Sequence, residues 1–199
     1  KNYEEIRKLR EHLKSDIYLW INAMDKKQRI LWGGATASSQ YEGGFSSAKG
    51  LDTQDCRAYL PRTSNATEET RLLTKEKIEE AKSLNSNKYY PFRNGTKGFD
   101  HLEEDIEYLD ELGLDLYRFS ISWARLFPNG VEEVPSPEGV AYYDRVFNLL
   151  AEKGIKIFLT LNHYAMPIYL VEQYGGWKGR ECIEHFMRFS TFVFERWGN

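Results

Sequence analysis

The sequence predicts an α/β chain built on parallel strands, and three observations predict it. Short apolar runs alternate with segments whose apolar residues recur every three or four positions. The runs are near-continuously apolar, the pattern of parallel strands covered on both faces. Two of them begin near Leu114 and Ile155, about 40 residues apart, which leaves room for a strand, a crossover helix and a return. Such units either close into a barrel or spread into an open doubly wound sheet, and periodicity alone does not choose between them.

In order, residues 1–24 carry Tyr3, Ile6, Leu9, Leu13, Ile17, Trp20, Ile21 and Met24 at helical spacing, so residues 1–25 are expected to form an amphipathic helix ahead of the main domain at 26–199. Arg29-Ile30-Leu31-Trp32 reads as a buried strand that runs into the turn Gly33-Gly34. From about Tyr41 to Phe99 the chain is polar, with one helical stretch across Glu68 to Leu84; a connection this long is either a functional insertion over a site or mobile. Leu102, Ile106, Leu109 and Leu112 stripe a helix that Gly113 caps. The strand Leu114 to Ser120 follows, then a turn region rich in proline. A helix presenting Val140, Tyr143, Val146, Phe147 and Leu150 is stopped by Gly154, and the strand Ile155 to Leu161 comes directly after. Ile183, Phe186, Phe189, Val193 and Trp197 stripe the last helix.

Composition narrows the function classes. With 41 % hydrophobic and 15 % aromatic residues in 199, the chain can bury one core. A net charge of −3 with dispersed Lys and Arg argues against nucleic acid or a membrane surface as partner and favours a small substrate. No apolar run reaches the roughly 20 residues that span a bilayer, and the charged start lacks a secretory core. Cys56 and Cys182 stand far apart and outside metal-ligand spacing, so free thiols in a cytoplasmic protein are expected, with no metal and no cofactor. Gly33-Gly34-Ala35-Thr36-Ala37 lacks the spacing of a dinucleotide fingerprint.

Ligands of parallel α/β folds lie at the carboxyl ends of the strands, where the first polar residues are Gln40, Arg118 and His163. Arg118 follows the apolar Leu114 and Leu116 on the face it shares with Ser120, and would either point into a barrel mouth to orient a carboxylate or form a structural ion pair under a loop. Gln40 offers a donor and an acceptor to adjacent hydroxyls, and His163 can serve a hydroxyl either way. Trp32, Tyr41, Trp123, Tyr164 and Trp177 could supply an aromatic platform for a pyranose, or simply core.

Three ordered motifs resemble glycoside hydrolase family 1. They are Leu31 to Gly43 (LWGGATASSQYEG), Tyr117 to Pro128 (YRFSISWARLFP), and Leu159 to Pro167 (LTLNHYAMP) with Tyr174-Gly175-Gly176-Trp177 after it. The resemblance implies the N-terminal part of a (β/α)8 TIM barrel, about three of eight strands with an extra N-terminal helix, from an enzyme that hydrolyses β-glycosides with retention. It implies that Gln40 and His163 bind sugar hydroxyls, with Tyr164 beside them, and that Arg118 contacts the nucleophilic carboxylate. Glu42 falls in the opening motif at a supporting position. Met166-Pro167, with Tyr164 where many β-glucosidases carry Trp, is similar to the 6-phospho-β-glucosidase branch. Both catalytic carboxylates of the family belong to later strands, so the isolated chain is expected to be inactive. Its partners would be a β-glucoside or 6-phospho-β-glucoside, and the missing barrel portion or a second copy at the open sheet edge. The alternative is a non-catalytic barrel-derived fragment that binds sugar or a partner.

Overall fold

The computed structural model describes residues 30–45, 49–60, 72–83 and 86–198. Contacts divide the chain between Trp32 and Gly33, and the architecture below belongs to the unit from Gly33 onward. The helix expected over residues 1–25 lies outside the described residues.

Three parallel strands form one sheet in the order β1 (Gly33–Ala35), β2 (Leu116–Ser120) and β3 (Lys156–Thr160). Their register pairs Gly33 with Leu116, Leu116 with Lys156, and Ser120 with Thr160. The helices, in chain order, are α1 (Ser38–Tyr41), α2 (Lys75–Lys82), α3 (Pro91–Asn94), α4 (Leu102–Glu111), α5 (Trp123–Leu126), α6 (Pro137–Glu152), α7 (Ile168–Tyr174) and α8 (Glu181–Trp197). A 3₁₀ turn, Gly176–Lys178, joins the last two.

Local chemistry explains the long helices. α4 opens with Glu103, Glu104 and Asp105, whose charge suits the positive end of the helix dipole. α6 starts on Ser136, whose hydroxyl accepts from the Gly139 N–H at 3.2 Å, with Pro137 in the first turn. Gly113 and Gly154 follow the two helices at φ +69° and +68°, the left-handed turn that lets the chain reverse into β2 and β3.

Two expectations are corrected. The apolar run at Ile30-Leu31-Trp32 is exposed, and the strand lies at Gly33–Ala35 instead, because pairing with β2 and not local hydrophobicity sets its position. The strands are also not covered on both faces. Tyr117 and Phe119 pack with Leu102, Ile106, Val146, Leu150 and Phe189 on the helix side, whereas Arg118 and Phe158 on the other face are exposed.

The helix expected over 68–84 is α2; residues 61–71 and 84–85 are outside the described set. The described parts of the long connection between β1 and β2 hold a second, smaller core of Cys56, Ile78, Ala81 and Tyr90 that reaches Ile168 of α7. Cys56 and Cys182 are both free and buried, and burial, aided by Asp55, pushes the Cys56 thiol up to about 12. No helix among the described residues is long and apolar enough to cross a membrane.

Candidate functional site

The exits of the three strands are tied to one another by short polar links. Past β1, the Thr36 hydroxyl lies 2.6 Å from the Tyr117 hydroxyl, and the Ser38 N–H donates to the Ser120 hydroxyl at 2.8 Å. These links seat α1 on the end of β2 and leave the Gln40 side chain exposed. Arg118 lies on the uncovered face of the sheet, as the two-residue period requires. Its Nε donates to the Thr160 hydroxyl of β3 at 2.9 Å, so the guanidinium is steered across the mouth of the sheet. His163 follows three residues after β3 and is half-buried against Tyr164, the ring centroids 4.6 Å apart.

Beneath this surface runs a buried charge network. Glu42, 3 % exposed, accepts from Arg125 Nε at 2.8 Å and from the Tyr143 hydroxyl at 2.6 Å. Arg125 also donates to the Gly43 carbonyl at 2.7 Å, and its guanidinium lies over the rings of Phe99 and Tyr142 at 4.4 and 5.1 Å. Tyr143 in turn accepts from the Ser122 N–H at 2.6 Å. Complete burial, then the Glu42 charge, hold the Tyr143 phenol well above its usual range, so it remains a neutral donor. The network fastens the β1 exit, which carries Gln40, to the β2 exit and to α6. It also commits both oxygens of Glu42 to structural contacts.

The β3 exit is strained. Tyr164 has φ +69°, and the Ala165 N–H donates back to the His163 carbonyl at 2.9 Å, which closes a γ-turn about Tyr164. A left-handed backbone costs a tyrosine about 1–2 kcal/mol. Burial of the ring does not offset this, since Tyr164 is 78 % exposed. The Thr53 hydroxyl offsets part of it by donating to the Tyr164 carbonyl at 3.4 Å and accepting from the Met166 N–H at 3.2 Å. A groove of about 500 Å³ opens beside Tyr164, bordered by Gln54, Arg57 and Trp177.

Of the residues expected to act, Gln40, Arg118, His163 and Tyr164 all fall at carboxyl ends of neighbouring strands. The aromatic platform divides: Trp123 is core at 1 % exposure, Tyr41 is half-buried and donates to Asp105 at 2.8 Å, and Trp32, Tyr164 and Trp177 are exposed, the last two bordering the groove. Sequence reasoning missed Arg125 and Thr53. For Arg125 a signal existed: a lone charge inside the apolar run Ile121 to Phe127 must find a buried partner. Among the described residues no group of three His, Cys, Asp or Glu side chains is placed to hold a metal.

Comparison with known proteins bears on the family and the fold. The profile described as Glycosyl hydrolase family 1 matches residues 25–199. The chain is 37 % identical over 169 residues to "6-phospho-beta-glucosidase AscB" of Escherichia coli (strain K12), covering 84 % of this chain and 34 % of that protein. To "Aryl-phospho-beta-D-glucosidase BglH" of Bacillus subtilis (strain 168) it is 38 % identical over 169 residues, covering 84 % and 32 %. Among solved structures, "Family 1 b-glucosidase from Thermotoga maritima" superposes with a TM-score of 0.66 at 31 % identity, over 86 % of this chain and 33 % of that one. The chain thus spans about a third of the length of the curated relatives it matches. Its three strands are part of a (β/α)8 barrel and not of an open doubly wound sheet.

Proposed function

The chain belongs to glycosyl hydrolase family 1, and from that premise we propose that it supplies the sugar-binding side of an enzyme that hydrolyses β-glucosides with retention, with 6-phospho-β-glucosides as its substrates. The observation that carries this reading is the placement of Gln40, Arg118, His163 and Tyr164 at the carboxyl ends of three adjacent parallel strands, where barrel enzymes do their chemistry. The Gln40 amide and the His163 imidazole hold neighbouring sugar hydroxyls, and Tyr164 sets the shape of the pocket beside them. Arg118 pairs with and orients a nucleophilic carboxylate. The phosphorylated substrate is supported by the names of the curated relatives at 37 and 38 % identity and by Tyr164 and Met166-Pro167. A substrate phosphorylated on uptake supports a cytoplasmic location for the activity.

Retention requires two carboxyl groups about 5–5.5 Å apart, a nucleophile and an acid that later acts as base. Glu42 is the carboxylate nearest Gln40 in sequence, but it is 3 % exposed with one oxygen on Arg125 and the other on Tyr143, out of reach of a substrate. The resemblance to the family implies that both groups belong to barrel strands other than these three, and the isolated 199-residue chain is then expected to be inactive. The exposed face with Phe158, and the pairing groups along the free edge of β3, receive the rest of the barrel or a second copy of the chain. An assay with an aryl β-glucoside and its 6-phosphate tests the reading. Turnover is expected from the complete reading frame that contains this chain, faster on the phosphate, and none from the chain alone. Turnover by the purified chain, or none by the complete frame, contradicts it.

A further inference from the structure

A tyrosine in a strained turn and almost wholly exposed needs something to hold it. Thr53 grips the His163-Tyr164-Ala165 turn from both sides with one hydroxyl, and its own N–H donates to the Met166 carbonyl at 2.9 Å. The segment around Thr53 is itself immobilised. The Ile168 N–H donates to the Leu51 carbonyl at 2.9 Å, and Asp52 forms an antiparallel bridge with Pro167. The buried Asp52 carboxylate caps the N–H groups of Gln54 and Asp55 at 2.7 and 3.0 Å, and Lys49 reaches Asp55 at 2.7 Å. A residue from the connection after β1 thereby sets the backbone of the β3 exit, which lies more than 100 positions away in sequence.

We propose that Thr53 is a positioning residue for the sugar-binding pair His163 and Tyr164, holding the left-handed turn at Tyr164 that aims both rings into the barrel mouth. The role assigned to the two rings rests on the glycosidase reading; the control of the turn does not. A serine keeps the hydroxyl and serves equally well, whereas valine has nearly the same shape and cannot hydrogen-bond.

The test is NMR of the isotope-labelled 199-residue chain as wild type, Thr53→Val, Thr53→Ser and Thr53→Ala. In the Val and Ala variants, hydrogen exchange at the Ala165 amide accelerates about tenfold. The HN–Hα coupling of Tyr164 departs from its left-handed value, and amides at Phe119 and Leu150 keep their protection. Thr53→Ser restores both signals. An unchanged Tyr164 turn in Thr53→Val and Thr53→Ala, or a serine variant that behaves like valine, overturns the proposal. Should valine unfold the chain, the alanine and serine pair decides by the same criteria. A titration of each form with methyl β-D-glucoside 6-phosphate separates the two readings. If the turn loosens in Thr53→Val but the wild type shows no sugar-dependent shift at His163, the positioning role stands and the sugar site falls. Sugar-dependent shifts at His163 with an unmoved turn in the variants keep the sugar site and remove the positioning role.

Discussion

Arg125→Met lowers the stability of the chain by about 3–5 kcal/mol, because it leaves the Glu42 carboxylate buried without its counter-charge. Tyr143 still donates to Glu42, and this charge-assisted bond contributes about 1.5–3 kcal/mol, but it supplies no counter-charge and does not replace the ion pair. Methionine also gives up the stacking on Phe99 and Tyr142 and the bond to the Gly43 carbonyl. Against a total stability of about 5–15 kcal/mol, the loss is a large share. Glu42→Gln combined with Arg125→Met costs less than Arg125→Met alone, since neither partner then leaves a buried charge. Urea unfolding midpoints of the single and double variants measure this. A loss under about 1 kcal/mol for Arg125→Met contradicts the clamp between the β1 and β2 exits.

The second large effect lies at Asp55. Two buried carboxylates, Asp52 and Asp55, share the single ammonium of Lys49, at 2.9 and 2.7 Å. Burial, then the charge of Asp52, push the Asp55 carboxyl from 3.8 up to about 7 against the pull of Lys49. The folded state therefore holds this proton more tightly than the unfolded state. The stability it contributes is complete below about pH 4 and is lost as pH rises to about 7, at about 1.4 kcal/mol per pH unit and about 4 kcal/mol in all. Asp55→Asn copies the protonated form. Its carbonyl oxygen still accepts from Lys49 and from the Asp52 N–H, and its amide occupies the place of Asp55 Oδ1, which has no hydrogen-bond partner among the described residues, so an unpaired amide offsets part of the gain. The variant is expected to flatten the pH dependence between 5 and 7 and to raise stability at pH 8 by about 2 kcal/mol. Denaturant titrations at pH 5, 6, 7 and 8 test this. A variant less stable than wild type at pH 8 contradicts it.

The elements legible in the sequence are those whose signals are local. α4, α6 and α8 carry helical stripes, and Gly113 and Gly154 announce two of their ends. β2 and β3 follow at once as compact apolar runs. β1 is hidden from such reading because its three residues, Gly-Gly-Ala, have no side-chain pattern; hydrogen bonding to β2 alone makes them a strand. The same distinction governs the site. Gln40, Arg118 and His163 stand out as the first polar residues after apolar runs, and Tyr164 comes with the motif around His163. The function of Thr53 depends on partners 111 and 113 positions away, and nothing near Thr53 in the sequence points to them. The Lys49, Asp52 and Asp55 cluster is close in sequence, yet its burial follows from the second core beneath it and not from its own polar composition.

The central claim is that these three strand exits form one β-glucoside-binding face. Chemical-shift mapping of the chain with methyl β-D-glucoside 6-phosphate tests it directly. The account predicts that Gln40, Arg118, His163 and Tyr164 shift together along one saturation curve while the residues of α2 stay unmoved. Shifts that cluster elsewhere, or none at these four positions at saturating ligand, contradict it.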